Sequence, residues 1–125
     1  MKGLPFTFFA TGTLAVLVGM AWGLQMGGSE DFTLAPAHAH LNLVGWVTFA
    51  LFGIYYHLTP SAAHASLAKI HYGFALAGLV VMVPGIALSV LGTNHVIVIV
   101  GSMLTFVSML IFIFTVFSHG LGPKV

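Results

Sequence analysis

The sequence predicts an all-α integral membrane four-helix bundle with its N and C termini cytoplasmic. Three observations carry that prediction. Of the 125 residues, 59% are hydrophobic and only 4% are charged, whereas a soluble domain carries about 25% charged residues. The mean hydropathy is +1.11. The apolar residues also fall into four runs, each near the roughly 20 residues that cross about 30 Å of hydrocarbon. Together these spans account for nearly all of residues 1–125, which are read as a single transmembrane domain.

The first span covers about 4–26 and ends at Gly27, Gly28, Ser29, Glu30 and Asp31. Lys2 ahead of an apolar stretch resembles the start of a secretory signal. The run is longer than a signal's apolar region and no small-residue cleavage site lies close behind it, so it reads as a span. Gly19, Gly23 and Gly27 recur at four-residue spacing, a small-residue stripe that lets another membrane helix approach closely. The second span, about 36–58, opens on Pro36, whose missing N–H costs nothing in a first turn, and stops at Thr59 and Pro60. The third, about 67–91, contains Pro84 and Gly85, which should kink it. The fourth, about 94–118, is closed by His119, Gly120, Gly122 and Pro123.

Charge sets the orientation. Lys2, Lys69 and Lys124 fall on one side of a four-span chain, while Glu30 and Asp31 lie in the first loop on the other. The positive-inside rule makes the lysine side cytoplasmic. With no arginine and a net charge of +1, the chain cannot neutralise a row of phosphates, which excludes nucleic acid as a partner. Membrane lipid is its surrounding partner instead. The absence of cysteine removes disulfides, thiolate metal sites, iron–sulfur clusters and cysteine nucleophiles.

Seven histidines stand out against so little charge. His38, His40 and His95 belong to an outer group; His57, His64, His71 and His119 belong to an inner one. From His40 to His57 the chain advances 17 residues, roughly 25 Å along a helix axis. An outer and an inner histidine therefore should not share one iron, and His40 with His71 makes a poor pair. His40 with His95, or histidines of neighbouring subunits at one depth, remain suitable.

His38 and His40 are two residues apart, about 200° of helix rotation, so their imidazoles leave opposite faces. The face of His40 continues through Leu43, Val44, Val47, Leu51 and Ile54; that of His38 continues through Asn42, Gly45, Phe49 and Tyr56. An ionisable residue inside a membrane helix is costly and by default functional. His38 and His40 are the leading ligand candidates, followed by His71 and His95, while His57, His64 and His119 read as interfacial side chains. Without cysteine a metal site must be built on imidazole, which suits haem iron, copper or zinc. Haem fits these apolar surroundings best, and copper is the lesser candidate.

The stretch His38-Ala39-His40-Leu41-Asn42-Leu43-Val44-Gly45-Trp46, continuing to Phe52-Gly53-Ile54-Tyr55-Tyr56-His57-Leu58-Thr59-Pro60, resembles haem-ligating helices in the catalytic subunit of haem-copper oxidases and nitric oxide reductases. In that superfamily an early helix carries a low-spin haem ligand His, then Asn-Leu, Trp, Gly and a terminal Tyr-Tyr-Leu-x-Pro. A later helix carries His-x-His, whose two imidazoles serve different haems. This chain combines both patterns in one helix, and the likeness covers 23 of 125 residues.

The family subunit is similar to three four-helix units around an axis, and this chain resembles one of them. The resemblance implies a haem b held between protomers of a homo-oligomer, trimer or dimer, by His40 of one copy and His38 or His40 of another. It also implies an electron-transfer or diatomic-gas-binding role, a quinone or cytochrome as electron partner, and a bacterial or archaeal cytoplasmic membrane. The chain has no His-His pair and no acidic residue within its spans, so the likeness points to haem binding rather than to a complete copper–haem catalytic centre. Two other readings are a histidine-based copper or zinc membrane binder, or small transporter, built on the inner group, and a cofactor-free accessory subunit of a respiratory complex. His57, His71 and Lys69 would suit an inner quinone site.

Overall fold

Inside a lipid core no water is present to pair with backbone N–H and C=O groups, so a spanning segment must close its hydrogen bonds within itself. The computed structural model, which describes residues 1–123, shows how this sequence does so. Four helices are long and apolar enough to cross a membrane. In chain order the elements are α1 (Gly3–Ser29), α2 (Ala35–Leu58), a short α3 (Pro60–Ala63), α4 (Ser66–Val90) and α5 (Val96–His119). Lys124, one of the three lysines used for orientation, lies outside the described residues.

Local chemistry accounts for the boundaries. α1 runs through Gly27 and Gly28 to Ser29, beyond its expected end, and closes at Glu30 in the left-handed region at φ 55°. Asp31 then accepts hydrogen bonds from the Thr33 backbone at 3.0 Å and the Thr33 hydroxyl at 2.6 Å, which turns the chain toward α2. Thr59 has left the helical region, at φ −123° and ψ 75°, as a residue preceding proline is disfavoured there, so α2 ends before it. The fourth span starts at Val96 rather than Asn94. Asn94 Oδ1 accepts the N–H groups of Val96 at 2.9 Å and Ile97 at 3.1 Å, satisfying donors that a first turn leaves open. Pro84 lies within α4, and that helix continues across it to Val90.

α2 departs from a uniform α-helix. Ala35–His40 and Phe49–Leu58 are α-helical, but Leu41–Thr48 between them is a π-helix. The Thr48 hydroxyl donates to Leu43 O at 2.9 Å, five residues back, in keeping with the wider turn. Such segments cost regular hydrogen bonding and occur often at functional sites; this one begins directly after His40.

Small residues set the packing, as expected where apolar lipid gives helices no hydrophobic reason to associate. On the α1–α2 contact a Cβ at Gly12 would lie 3.2 Å from Trp46 O, and one at Gly53 would lie 2.9 Å from Pro5 O. The α4–α5 contact is built alike, with Gly78 against Thr105, Gly85 against Val98, and Gly101 against the Met82 backbone. The bundle is thus two close helical hairpins. They meet through an aromatic cluster of Phe8, Phe49, Phe52, Tyr55, Tyr56 and Phe112, and through a hydrogen bond of 2.8 Å between the Thr11 and Tyr72 hydroxyls.

The glycine stripe of α1 serves this internal contact. Side chains of the same chain's α2 close over Gly19 and Gly23, whereas a Cβ at Gly27 would meet nothing within 4 Å.

Both ends of the bundle can be told apart. Lys2, His57, His64 and Lys69 line one cavity. At that same end the Tyr55 hydroxyl donates to Gly120 O at 2.8 Å and the Gly122 N–H donates to Thr59 Oγ1 at 3.1 Å. This is the lysine end. Glu30, Asp31, the start of α2 and His95 lie at the other, the acidic end.

Candidate functional site

Each histidine is defined by what its two ring nitrogens meet. A carbonyl oxygen can only accept, so a ring nitrogen paired with one carries the proton and leaves its fellow with the lone pair. His40 Nδ1–H donates to Pro36 O at 2.7 Å, one turn back, and the side chain is exposed. Its Nε2 is therefore a free lone pair directed outward. The same fixing of the distal N–H by a carbonyl is the usual preparation of a metal-ligating imidazole.

The face that continues from His40 is the outward one. Leu43, Val47, Leu51 and Ile54 are all exposed, Leu43 to 61% and Leu51 to 58%, whereas Val44, expected on the same face, is half-buried against the core. The exposed side chains give an apolar strip running down α2 from the imidazole. The opposite face, carrying His38, is turned into the bundle: Gly45, Phe49 and Tyr56 are buried and Asn42 is half-buried. Despite the π-helical segment, the two histidines do leave opposite sides of α2.

His38 is committed within its own chain. Its Nε2–H donates to Gly19 O in α1 at 2.9 Å, and its ring stands edge-on to Trp22 at 6.0 Å between centroids. The Asn42 side-chain amide lies 3.3 Å from the same Nε2. An N–H already donating cannot also accept, so the amide suits this ring with its oxygen turned toward it. Gly19 supplies the room, because a Cβ there would collide with the Asn42 side chain.

His71, at the lysine end of α4, is completely buried. The Tyr56 hydroxyl and its Nδ1 are 2.9 Å apart, and Nε2 has no polar partner. Four rings enclose it, with centroids at 4.5 Å for Phe52, 5.1 Å for Phe8, 5.6 Å for Phe112 and 5.7 Å for Tyr56. No porphyrin can reach a nitrogen so enclosed. His71 also packs on the second half of α2, so His40 and His71 sit toward opposite ends of that helix.

His95 at the acidic end is exposed, with Nδ1 at 2.8 Å from Ser89 Oγ. His64 Nδ1–H donates to Pro60 O at 2.7 Å, and His119 Nδ1–H to Thr115 O at 3.2 Å. Within one chain, no three His, Asp or Glu side chains among the described residues converge to hold a metal ion.

Two of the cavities bear on the histidines. A groove of about 530 Å³ between α1 and α4 is lined by apolar side chains including Leu14, Val18, Trp22, Leu79 and Val83, with Leu41 of α2 at its edge. No histidine lines it. The second, of about 410 Å³, is the lysine-end cavity, and Tyr56 contributes to its wall.

A b-type haem needs an imidazole lone pair and apolar surface for its macrocycle. His40 offers both on one exposed face, and His95 is the other exposed outer imidazole. His38 and His71 do not fit the group, the first because its ring is turned into the bundle against Gly19 and Trp22, away from the exposed apolar strip, the second because rings enclose it. Sequence reasoning did not foresee the Tyr56–His71 pair. Its signal was present in the placing of Tyr56 near the end of the second span and of His71 near the start of the third, both close to the connection that joins them. No family model, curated protein or solved structure matches this chain.

Proposed function

We propose that this chain is a membrane b-type haem protein, similar to one four-helix unit of the haem-copper oxidase superfamily, that holds haem between two copies of itself through His40. The observation that carries the reading is the state of His40, with Nδ1–H tied to Pro36 O, Nε2 free, and an exposed apolar strip beside it. The haem, once bound, supplies one-electron transfer or an iron that takes a diatomic gas. The residues of the chain orient and shield it. Pro36 O fixes the imidazole rotamer and raises its basicity, while Leu43, Val47 and Leu51 exclude water from the macrocycle.

With His38 held by Gly19, the self-complementary arrangement is a twofold dimer in which His40 of each copy faces one iron. A trimer would need a second ligand from each chain, and His95 is the exposed imidazole at the same end. The lysine end reads as cytoplasmic, which puts the haem near the outer surface, where a quinone or a cytochrome could exchange electrons with it.

The test is a titration of detergent-purified protein with haem, followed by optical absorption and by the mass of the complex. Wild-type protein and His64→Ala bind, with one haem per two chains; His40→Ala does not. His40 is exposed, so its removal leaves the fold intact. Equal binding by His40→Ala would overturn the reading.

A further inference from the structure

We propose that the lysine-end cavity is a binding site for the phosphodiester of an anionic lipid headgroup. Lys2 at the start of α1 and Lys69 at the start of α4 line the same cavity of about 410 Å³, together with His57, His64 and Tyr56. Both carboxylate side chains of the protein, Glu30 and Asp31, lie at the other end of the bundle. The cavity therefore gathers ammonium and imidazole groups with no acidic side chain among them, the Tyr56 hydroxyl being already paired with His71. Its size is that of a small-ligand pocket.

Phosphate oxygens suit such a set of donors. Lysine meets them as a compact point charge, and charge-assisted hydrogen bonds are roughly twice as strong as neutral ones. The principal donors are Lys2 and Lys69, since the Nδ1–H of His64 is already held by Pro60 O.

A lipid rather than a free phosphate follows from what surrounds the cavity. Phe6, Leu58 and Ile70 each follow a lining residue in sequence and are exposed to 55%, 48% and 51%, so the helices that form the cavity also carry apolar surface at this end. An amphiphile with its headgroup among the lysines would lay its acyl chains along those side chains. Basic pockets between membrane helices hold anionic headgroups in this manner. The site stands whether or not His40 binds haem, because the two lie at opposite ends of the bundle.

The experiment uses the full chain in detergent and follows its thermal unfolding midpoint at constant ionic strength. The probes are dihexanoyl phosphatidylglycerol, dihexanoyl phosphatidylcholine and inorganic phosphate. Phosphatidylglycerol should raise the midpoint saturably. Its apparent affinity should fall about fivefold in Lys69→Gln and roughly 25-fold in the Lys2→Gln, Lys69→Gln double variant, and hold in Lys69→Arg. Both lysines are exposed, so the variants keep the fold and the unliganded midpoint. An equal shift from phosphatidylcholine, or an undiminished one in the double variant, overturns the site. Inorganic phosphate matching the lipid at the same concentration overturns its assignment to a lipid.

Discussion

Tyr56 and His71 meet at 2.9 Å between the phenol oxygen and Nδ1, and neither side chain has any exposed surface. The bond joins α2 of one helical hairpin to α4 of the other, at the centre of the aromatic cluster. A buried polar atom without a partner costs more than the bond itself contributes, and here Nε2 of His71 already lacks one.

Tyr56→Phe leaves Nδ1 unpaired as well and should destabilise the protein by about 1–3 kcal/mol. His71→Phe removes both imidazole nitrogens and leaves only the Tyr56 hydroxyl unpaired, one orphaned polar group against two in Tyr56→Phe, so it should cost less even though it changes more atoms. Unfolding in mixed detergent measures both. A larger loss in His71→Phe would show that the imidazole holds a partner the cage conceals.

Gly19 and Gly27 separate a packing glycine from an incidental one. Gly19→Ala drives a methyl into the Asn42 side chain and disturbs the His38 bond to α1, an overpacking that should cost about 1–3 kcal/mol. Gly27→Ala meets nothing within 4 Å and should be neutral or stabilising by up to about 1 kcal/mol through helix propensity. Comparison of the two unfolding midpoints checks the pair.

Much of this architecture is legible in the chain itself. The four apolar runs locate the spans because roughly 20 residues must cross the bilayer whatever packs beside them. The opposed directions of His38 and His40 follow from rotation per residue, and the exposure of Leu43, Leu51 and Ile54 on the His40 side matches it. The π-helix at Leu41–Thr48 is not legible, since no local residue preference specifies an i→i+5 ladder. Nor does the Gly19–Gly23–Gly27 stripe reveal its partner. Spacing shows that a helix can approach, while the choice between this chain's α2 and another molecule rests on the polar fit of His38 and Asn42. The ring cage of His71 draws on α1, α2 and α5, so it emerges only from the assembled bundle.

Asp31, in the loop between α1 and α2, titrates below its ordinary value of 3.8 because the Thr33 hydroxyl and N–H both donate to its carboxylate. A carboxyl group whose value is lowered on folding stabilises the fold above its unfolded pKa and loses that contribution as pH falls through the folded one. The contribution is therefore present above about 3.8 and fades only in more acidic solution. Thr33→Ala should move the Asp31 titration back upward, which carbon NMR of the carboxyl group would read directly.

His38→Ala and His40→Ala should fail in different ways. Loss of His38 removes the bond to Gly19 O and lowers stability by about 0.6 kcal/mol, the average for such bonds between membrane helices, while haem binding persists. Loss of His40 leaves stability nearly unchanged and removes the haem. Parallel unfolding and haem-content assays on the two variants would resolve this.

The central claim is that His40 ligates haem between two copies of the chain. Its most direct test is the absorption spectrum of the detergent-purified protein, supplied with haem during expression, before and after dithionite. The account predicts a Soret band with the sharpened reduced bands of a six-coordinate b-type haem, all lost in His40→Ala. A protein without a Soret band under those conditions would contradict it.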